Sequence, residues 1–342
     1  MKNTLSSVFG LAVLASVSLV SPASALSWAP IVYVPVGNAG NAADPETGSL
    51  YGAVAYNYQI AKNETTIGQY TEFLNAVATK DPYHLYSTNM EIEATIAGIS
   101  RSGVDGLYSY SVVGDSGNKP ITYVSWFDAA RFCNWLHNGQ GGGSTETGAY
   151  TLDNAMTGIF TVNPGAKIWI PSENEWYKAA YYDAAKGGTG GYWPYPTQSN
   201  ALNGNTVGNA NSANYDDGDY VGSGSSAFPT SNALTDVGAY GENSDSFYGT
   251  NDQAGNVWEW NDAVVSGSSR GLRGGSWYGY GFGIGQDSSF RDYFDPSTED
   301  YDYGFRVASA AVVAVPEPTS LLSTLAFVSS GLLLRRRGKI SH

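Results

Sequence analysis

The sequence holds a single cysteine, Cys133. That excludes an intramolecular disulfide and any metal site needing two thiolates from this chain. Histidine is nearly as scarce: His84, His137 and His342 are the full set, and no CxxC or His-rich metal motif exists. Basic residues are also few, with 17 Lys+Arg against 31 Asp+Glu and a formal net charge of −14. The imbalance sharpens in the middle of the chain, because Lys2, Arg335, Arg336, Arg337 and Lys339 all lie near the ends. Such a surface repels phosphate backbones and anionic lipid, which argues against nucleic-acid binding. It suits cations, calcium above all in an extracellular medium. What the middle has in quantity is Gly 42, Tyr 25 and Trp 9, meaning many turns and many aromatic anchors. A hydrophobic content of 42% argues against disorder throughout.

Long apolar runs are confined to the two ends. Lys2 precedes the run from Val8 to Val20, and Ser21-Pro22-Ala23-Ser24-Ala25 follows. Ala23-x-Ala25 is the small-residue pattern that signal peptidase reads, so residues 1–25 are expected to be a signal peptide cut after Ala25. At the other end, Pro316-Glu317-Pro318 precedes the uncharged stretch Thr319 to Leu334 and then Arg335-Arg336-Arg337. The stretch 319–334 is expected to be a transmembrane helix, somewhat shorter than the ~20 residues that span hydrocarbon comfortably. The arginines would remain cytoplasmic. These three parts in order resemble the PEP-CTERM sorting signal, in which the Pro-Glu-Pro motif is recognised by exosortase, a membrane transpeptidase. The resemblance implies a Gram-negative host that makes exopolysaccharide, a transient membrane anchor, and delivery to the outer surface or extracellular matrix.

Between the ends, residues 26–50 form a Gly/Ala/Asn/Pro-rich lead-in, 51–310 one domain, and 311–342 the sorting tail. Tyr51 to Ile60 alternates loosely as a half-buried strand would. Three capping boxes open helices: Thr66 with Gln69 before Ile67–Val77, Ser125 with Asp128 before Trp126–His137, and Ser172 with Glu175 before Glu173–Tyr182. Tyr70, Phe73, Leu74 and Val77 share the first helix's inner face. Residues 186–250 are rich in Gly, Asn, Ser and Tyr. Their aromatic residues, Trp193, Tyr195, Tyr215, Phe228, Tyr240 and Tyr248, point to ordered irregular loops. The expectation is α+β, with few helices, short strands and long loops.

Six stretches then occur in a set order. They are Asn63-Glu64-Thr65-Thr66-Ile67-Gly68-Gln69-Tyr70, Val124-Ser125-Trp126-Phe127-Asp128-Ala129-Ala130, Ile170-Pro171-Ser172-Glu173-Asn174-Glu175-Trp176, Gly255-Asn256-Val257-Trp258-Glu259-Trp260, Leu272-Arg273-Gly274-Gly275-Ser276-Trp277 and Gly304-Phe305-Arg306-Val307. Together they resemble the sulfatase-modifying-factor family, founded on the formylglycine-generating enzyme, over about Tyr51 to Ala308. The resemblance implies a single C-type-lectin-like α+β domain with little regular structure.

The family's chemistry does not carry over as its fold does. The founding enzyme oxidises a substrate cysteine with copper held by two thiolates, the soft ligands that Cu(I) favours. By resemblance the first would fall at Gly279 and the second near Gly283 or Ile284, and 277–291 contains no cysteine. Copper is therefore not expected. Cys133 reads as a small core residue, and His137 as a cap or packing residue. A branch of the family with nonheme iron needs a His-rich domain that is missing here. Calcium is expected, because the resemblance implies a site at Asp252, the carbonyls of Gly255 and Val257, and Glu259. A second family site would use Asn214 and the carbonyl of Tyr215, with Asp216, Asp217 or Asp219 nearby. Among the arginines, Arg306 is expected to pair with Asp292 or Glu299, and Arg291 has a ligand-facing role open to it.

The functional reading is a non-catalytic, calcium-stabilised surface module that binds a glycan, an exopolysaccharide or a protein, with no catalytic residues. The alternative is a divergent formylglycine-generating-type oxidase acting on a sulfatase or other protein cysteine. A third reading is structural filler of the extracellular matrix.

Overall fold

A computed structural model describes residues 28–279 and 283–311. The chain divides into two units, 1–311 and 312–342. The signal peptide with Ala23 and Ala25, the Pro316-Glu317-Pro318 motif and the stretch 319–334 all lie outside the described residues. Among the described residues, no helix is long and apolar enough to cross a membrane.

In chain order the elements are β1 (Tyr33–Val36), β2 (Tyr58–Ala61), α1 (Ile67–Val77), α2 (Asn89–Ile92), β3 (Ile99–Ser102), β4 (Ser109–Val112), α3 (Trp126–His137), β5 (Ile168–Trp169), α4 (Glu173–Tyr181), β6 (Tyr182–Asp183), β7 (Gly191–Tyr192), β8 (Trp258–Ser266), β9 (Ser269–Arg273), β10 (Asp292–Phe294), β11 (Tyr303–Gly304) and β12 (Ala308–Ala310). This is the mixed α+β architecture with few helices that the sequence suggests. Two four-stranded sheets frame it, ordered β1-β2-β12-β5 and β10-β9-β8-β11. The first is antiparallel throughout and joins the two ends of the domain, with Ala308 opposite Ile60. In the second, β8 and β9 form an antiparallel hairpin and β11 adds parallel to β8.

All three capping boxes form, each with both reciprocal bonds. In each, the hydroxyl accepts from the fourth residue's N–H and that residue's side chain accepts from the cap's own N–H. The third helix ends at Tyr181, one residue before the expected Tyr182, because Tyr182 turns extended to start β6. Within the lead-in 26–50, β1 forms the edge of the first sheet. One expectation needs correction. The strand expected over Tyr51–Ile60 is reduced to Tyr58–Ala61. Tyr51–Asn57 instead serve helix α4. Gly52 N–H donates to Asn174 Oδ1 at 2.9 Å, and Tyr56 Oη donates to Glu175 Oε1 at 3.0 Å. Gly52 has φ +93°, a left-handed conformation that interrupts pairing and favours glycine.

Helix α3 runs through the core. Residues 126–135 are buried around its whole circumference, beyond the single face the periodicity suggests. Phe132 stacks on Tyr70 and meets Phe73, Trp135 and Phe305 edge-on or tilted at 5.4–6.0 Å. Cys133 lies fully buried on this helix, and burial pushes its thiol well above the ordinary range. His137, at the helix end, accepts from Lys167 N–H through Nδ1 at 3.0 Å. Its role is local backbone support.

Candidate functional site

The motif that opens β8 buries charge. Glu259 has no exposure. Its Oε2 accepts from Arg306 Nε at 2.6 Å and Trp176 Nε1 at 2.8 Å, and its Oε1 accepts from Arg306 Nη2 at 2.7 Å. Arg306 spends its remaining N–H groups on the carbonyls of Ala61, Lys62 and Asn251. All five donors of the guanidinium fork are thus used. The expected partners of Arg306 were Asp292 and Glu299, and the structure corrects both. Asp292 lies on β10, at the far edge of the sheet from β11. Glu299 faces Asp128 and Asp81, where burial and then these two carboxylates raise its pKa to about 8.

Before β8, the loop 252–257 folds back through left-handed backbone at Asp252, Gly255 and Asn256. Gly255 is required here, since a Cβ would collide with the Asn214 carbonyl. That carbonyl accepts from Asn256 N–H at 2.8 Å. Asp252 Oδ2 accepts from Gly238 N–H at 2.6 Å. Burial raises the Asp252 pKa to about 6, with Glu259 and Asp245 adding to the shift.

A third carboxylate, Glu64, stands beside these two, in the turn before the Thr66 cap. It is 2% exposed. Its Oε2 receives one long bond from Asn256 Nδ2 at 3.4 Å, and its Oε1 has no hydrogen-bond partner. Burial, then Asp252 and Glu259, push its pKa well up. Three acidic groups therefore lie near one guanidinium, but both Glu259 oxygens are taken by Arg306 and Trp176, and among the described residues no group of three or more His, Cys, Asp or Glu side chains is placed to hold a metal ion. Of the residues the resemblance assigns to calcium, Asp252 and the backbone of Gly255 and Val257 share the loop before β8, and hard oxygen is the donor type Ca²⁺ takes.

The second set does not converge in the same way. Asn214 turns its amide to Ala233 O and Asn256 Oδ1, joining the first cluster. Tyr215 O instead accepts from Asn205 Nδ2, which also donates to Asp219 O. Asp217 accepts from the backbone of Asn205 and Asp219, and Asp216 from Gly218. The Asn205 amide thus bridges carbonyls that a cation would otherwise draw together.

Asp287, Ser288 and Ser289, which follow the positions where the copper thiolates would fall, line a groove of about 730 Å³ together with Tyr182, Tyr192, Trp193, Asp44 and Glu46. Arg291 does not face it as a ligand-binding group. Its Nη2 donates to Glu173 Oε2 at 2.8 Å, while Glu173 Oε1 takes Arg273 through two bonds at 2.7 and 2.9 Å. Arg273 also lies 4.6 Å over the Tyr51 ring. Together they tie the 283–291 segment to the start of α4. Sequence reasoning passed over Glu64 and Glu173 as site residues. Both are acidic residues inside otherwise structural motifs, and that was the available signal.

No curated protein matches the chain. Solved structures similar to it include Treponema denticola variable protein 1, at 21% identity over 81% of this chain and 94% of that one, with a TM-score of 0.46. CarF is similar at 21% identity over 82% and 98%, with a TM-score of 0.46. PvdO from Pseudomonas aeruginosa is similar at 18% identity over 75% and 81%, with a TM-score of 0.40. Residues 17–311 match the family described as the sulfatase-modifying factor enzyme 1-like domain, and the chain belongs to that family.

Proposed function

We propose that this chain is an exported, non-catalytic binding member of its family, with loops stiffened by calcium. One observation carries the reading. The only thiol, Cys133, is sealed inside helix α3, and the segment 277–291 offers none. A Cu(I) dithiolate needs two accessible sulfurs, and hard carboxylates do not replace them. Burial also keeps the Cys133 thiol protonated, whereas the ligand form is the thiolate.

Signal peptidase would release the leader after Ala25, and exosortase would act at Pro316-Glu317-Pro318. The protein would then reside at the outer surface or in the matrix. The groove beside Asp287 supplies what an uncharged glycan takes: aromatic faces and clustered Ser, Asn and Asp hydrogen-bonding groups. The acidic surface argues against anionic polysaccharide. Calcium at Asp252, Gly255, Val257 and Glu259 would offset the buried negative charge and hold the loop from Asn214 to Trp258.

The test joins metal content to binding. Purified protein is stripped with chelator and resupplied with Ca²⁺ or Cu(I). Calcium should raise the unfolding midpoint in the wild type and fail to do so in Asp252→Asn. Neutral oligosaccharides should bind, and Trp193→Ala should weaken them. Tight copper retention, with aldehyde formation on a cysteine-containing sulfatase peptide, would instead establish the oxidase reading.

A further inference from the structure

A smaller cavity, of about 300 Å³, opens beside the start of helix α4 and shares no lining residue with the groove next to Asp287. Tyr56 and Trp169 line it with aromatic surface, and Asn163, Ser172 and Asp262 bring polar groups. Two devices set this lining. The first is Glu175, which is 1% exposed. Its Oε1 accepts from Tyr56 Oη at 3.0 Å and its Oε2 from Trp169 Nε1 at 3.1 Å. With their polar edges tied down, both rings are held in place and have carbon surface to offer. The second is a bulge in β8. Between Trp260, opposite Leu272, and Val264, opposite Arg270, residues 261–263 of β8 face the single Gly271 of β9. Bulges re-aim side chains. Here Asp262 N–H donates to Pro171 O at 2.9 Å, and its side chain joins the cavity.

Asp262 Oδ1 accepts from Arg270 Nη1 at 2.8 Å. Its Oδ2 has no hydrogen-bond partner among the described residues, yet it is not sealed, since the side chain keeps 13% exposure where it lines the cavity. Ser172 Oγ accepts from Glu175 N–H at 3.3 Å and keeps its own hydrogen to give. Asn163 spends its amide N–H groups on Gly148 O and Thr151 Oγ1, which leaves Oδ1 to accept.

This inventory selects a ligand class. Calcium takes six to eight oxygens, far more than one free carboxyl supplies. A cation gains little, because Arg270 already pairs with Asp262 and burial raises that carboxyl to about 7. A hydroxyl suits either form, since it donates to a carboxylate and accepts from a carboxylic acid. A sugar ring carries several hydroxyls around C–H faces that pack on aromatic rings. The cavity lies at the small end of ligand sites, with room for one ring rather than a chain.

We propose that this cavity is a subsite for one neutral sugar residue, with Asp262 Oδ2 bonding a hydroxyl and Tyr56 and Trp169 packing against the ring. Glu175 acts through the two aromatic side chains as a positioning residue. The subsite stands apart from the groove, and the experiment reads each separately.

The methyl glycosides of glucose, galactose and mannose are titrated singly into the full chain while its indole N–H resonances are followed by NMR. The Trp169 resonance is identified by its loss in Trp169→Phe, and the Trp193 resonance by its loss in Trp193→Phe. Saturable movement of the Trp169 resonance is expected with at least one sugar. Tyr56→Ala should weaken that binding roughly fivefold, as loss of one ring contact implies, and Asp262→Asn should weaken it as well. Tyr56 is 53% exposed, so its variant spares the fold even if Asp262→Asn does not. Any movement of the Trp193 resonance should be the same in Tyr56→Ala as in the wild type. A response at Trp193 alone supports the groove and overturns the subsite. The subsite is also overturned if no sugar moves the Trp169 resonance at high millimolar concentration, or if Tyr56→Ala binds as the wild type does. Equal movement with tetramethylammonium would overturn it too, by making the cavity a cation site.

Discussion

Around helix α3 the protein closes on apolar and aromatic matter, while around the start of β8 it closes on charge and leaves the closure incomplete. In the first region Tyr70, Phe73, Phe132, Trp135 and Phe305 form one continuous ring cluster. The one hydroxyl among these five side chains, Tyr70 Oη, donates to Leu85 O at 2.9 Å. In the second, Glu64, Asp252 and Glu259 converge on Arg306 alone. The difference separates packing that is complete in itself from buried charge that must be balanced. Apolar burial needs nothing from outside. A buried excess of carboxylate needs a proton or a cation, and burial raises the pKa of both Glu64 and Asp252.

The largest break in this comparison comes from Arg306. Replacing it with Met strands Glu259 at zero exposure with only Trp176 Nε1 as donor. Removing one member of a buried pair costs about 3–5 kcal/mol. Denaturant unfolding of Arg306→Met should show a loss of that size. The double variant Glu259→Met, Arg306→Met should recover part of it, since paired apolar replacements of a buried ion pair are tolerated far better than single ones. A single-variant loss under ~1 kcal/mol would mean that this charge cluster is as self-sufficient as the aromatic one.

A smaller effect is pH dependence, again rooted in the charged region. Asp302 lies beside β8, with its carbonyl taking Trp258 N–H and its Oδ2 taking Ser276 Oγ at 2.6 Å. Burial outweighs that bond and raises the carboxyl to about 7. A folded pKa above the unfolded one means that the native state holds the proton longer. The associated stability is complete below about pH 4 and is lost as pH rises through about 7. Metal-free protein should therefore be less stable at pH 8 than at pH 5. Asp302→Asn should flatten the profile by on the order of 2 kcal/mol. A profile that rises over this window would sink the assignment.

The two regions also differed in how readily they could be foreseen. The α1, α3 and α4 boundaries were legible because capping is local: Thr66, Ser125 and Ser172 each find their partner three residues on. The sheets were not, because β12 meets β2 across almost the whole domain and short strands carry little periodicity. At the site, Asp252 and Glu259 could be named from the motif. Glu64 could not be given a role, since its distinction is a bond it lacks, which no spacing encodes. Arg306 was recognised as an ion-pair former, yet its partner lies 47 positions away. Pairing of that kind depends on how β8 and the final strands dock.

The smallest expected effect tests whether the apolar region is uniform in its self-sufficiency. Two of its helices begin with the same device in different surroundings. At α1, Thr66 N–H donates to Gln69 Oε1 at 3.0 Å and Thr66 Oγ1 accepts from Gln69 N–H at 3.2 Å. Gln69 is neutral and half-exposed, so Thr66→Ala should cost about 1 kcal/mol, the ordinary worth of a cap. At α3 the partner is Asp128, fully enclosed, and Ser125 Oγ also donates to its Oδ2 at 2.6 Å. Ser125→Ala therefore removes a cap and strips a donor from a buried carboxyl that burial has already raised to about 6. Its cost should exceed that of Thr66→Ala by about 1 kcal/mol. The gap should narrow as pH falls toward 5, because a protonated Asp128 has less need of donors. Equal costs for the two variants at pH 8 would mean that the Ser125–Asp128 bond adds nothing to the cap. Burial of the partner would then not be what sets the strength of these helix starts.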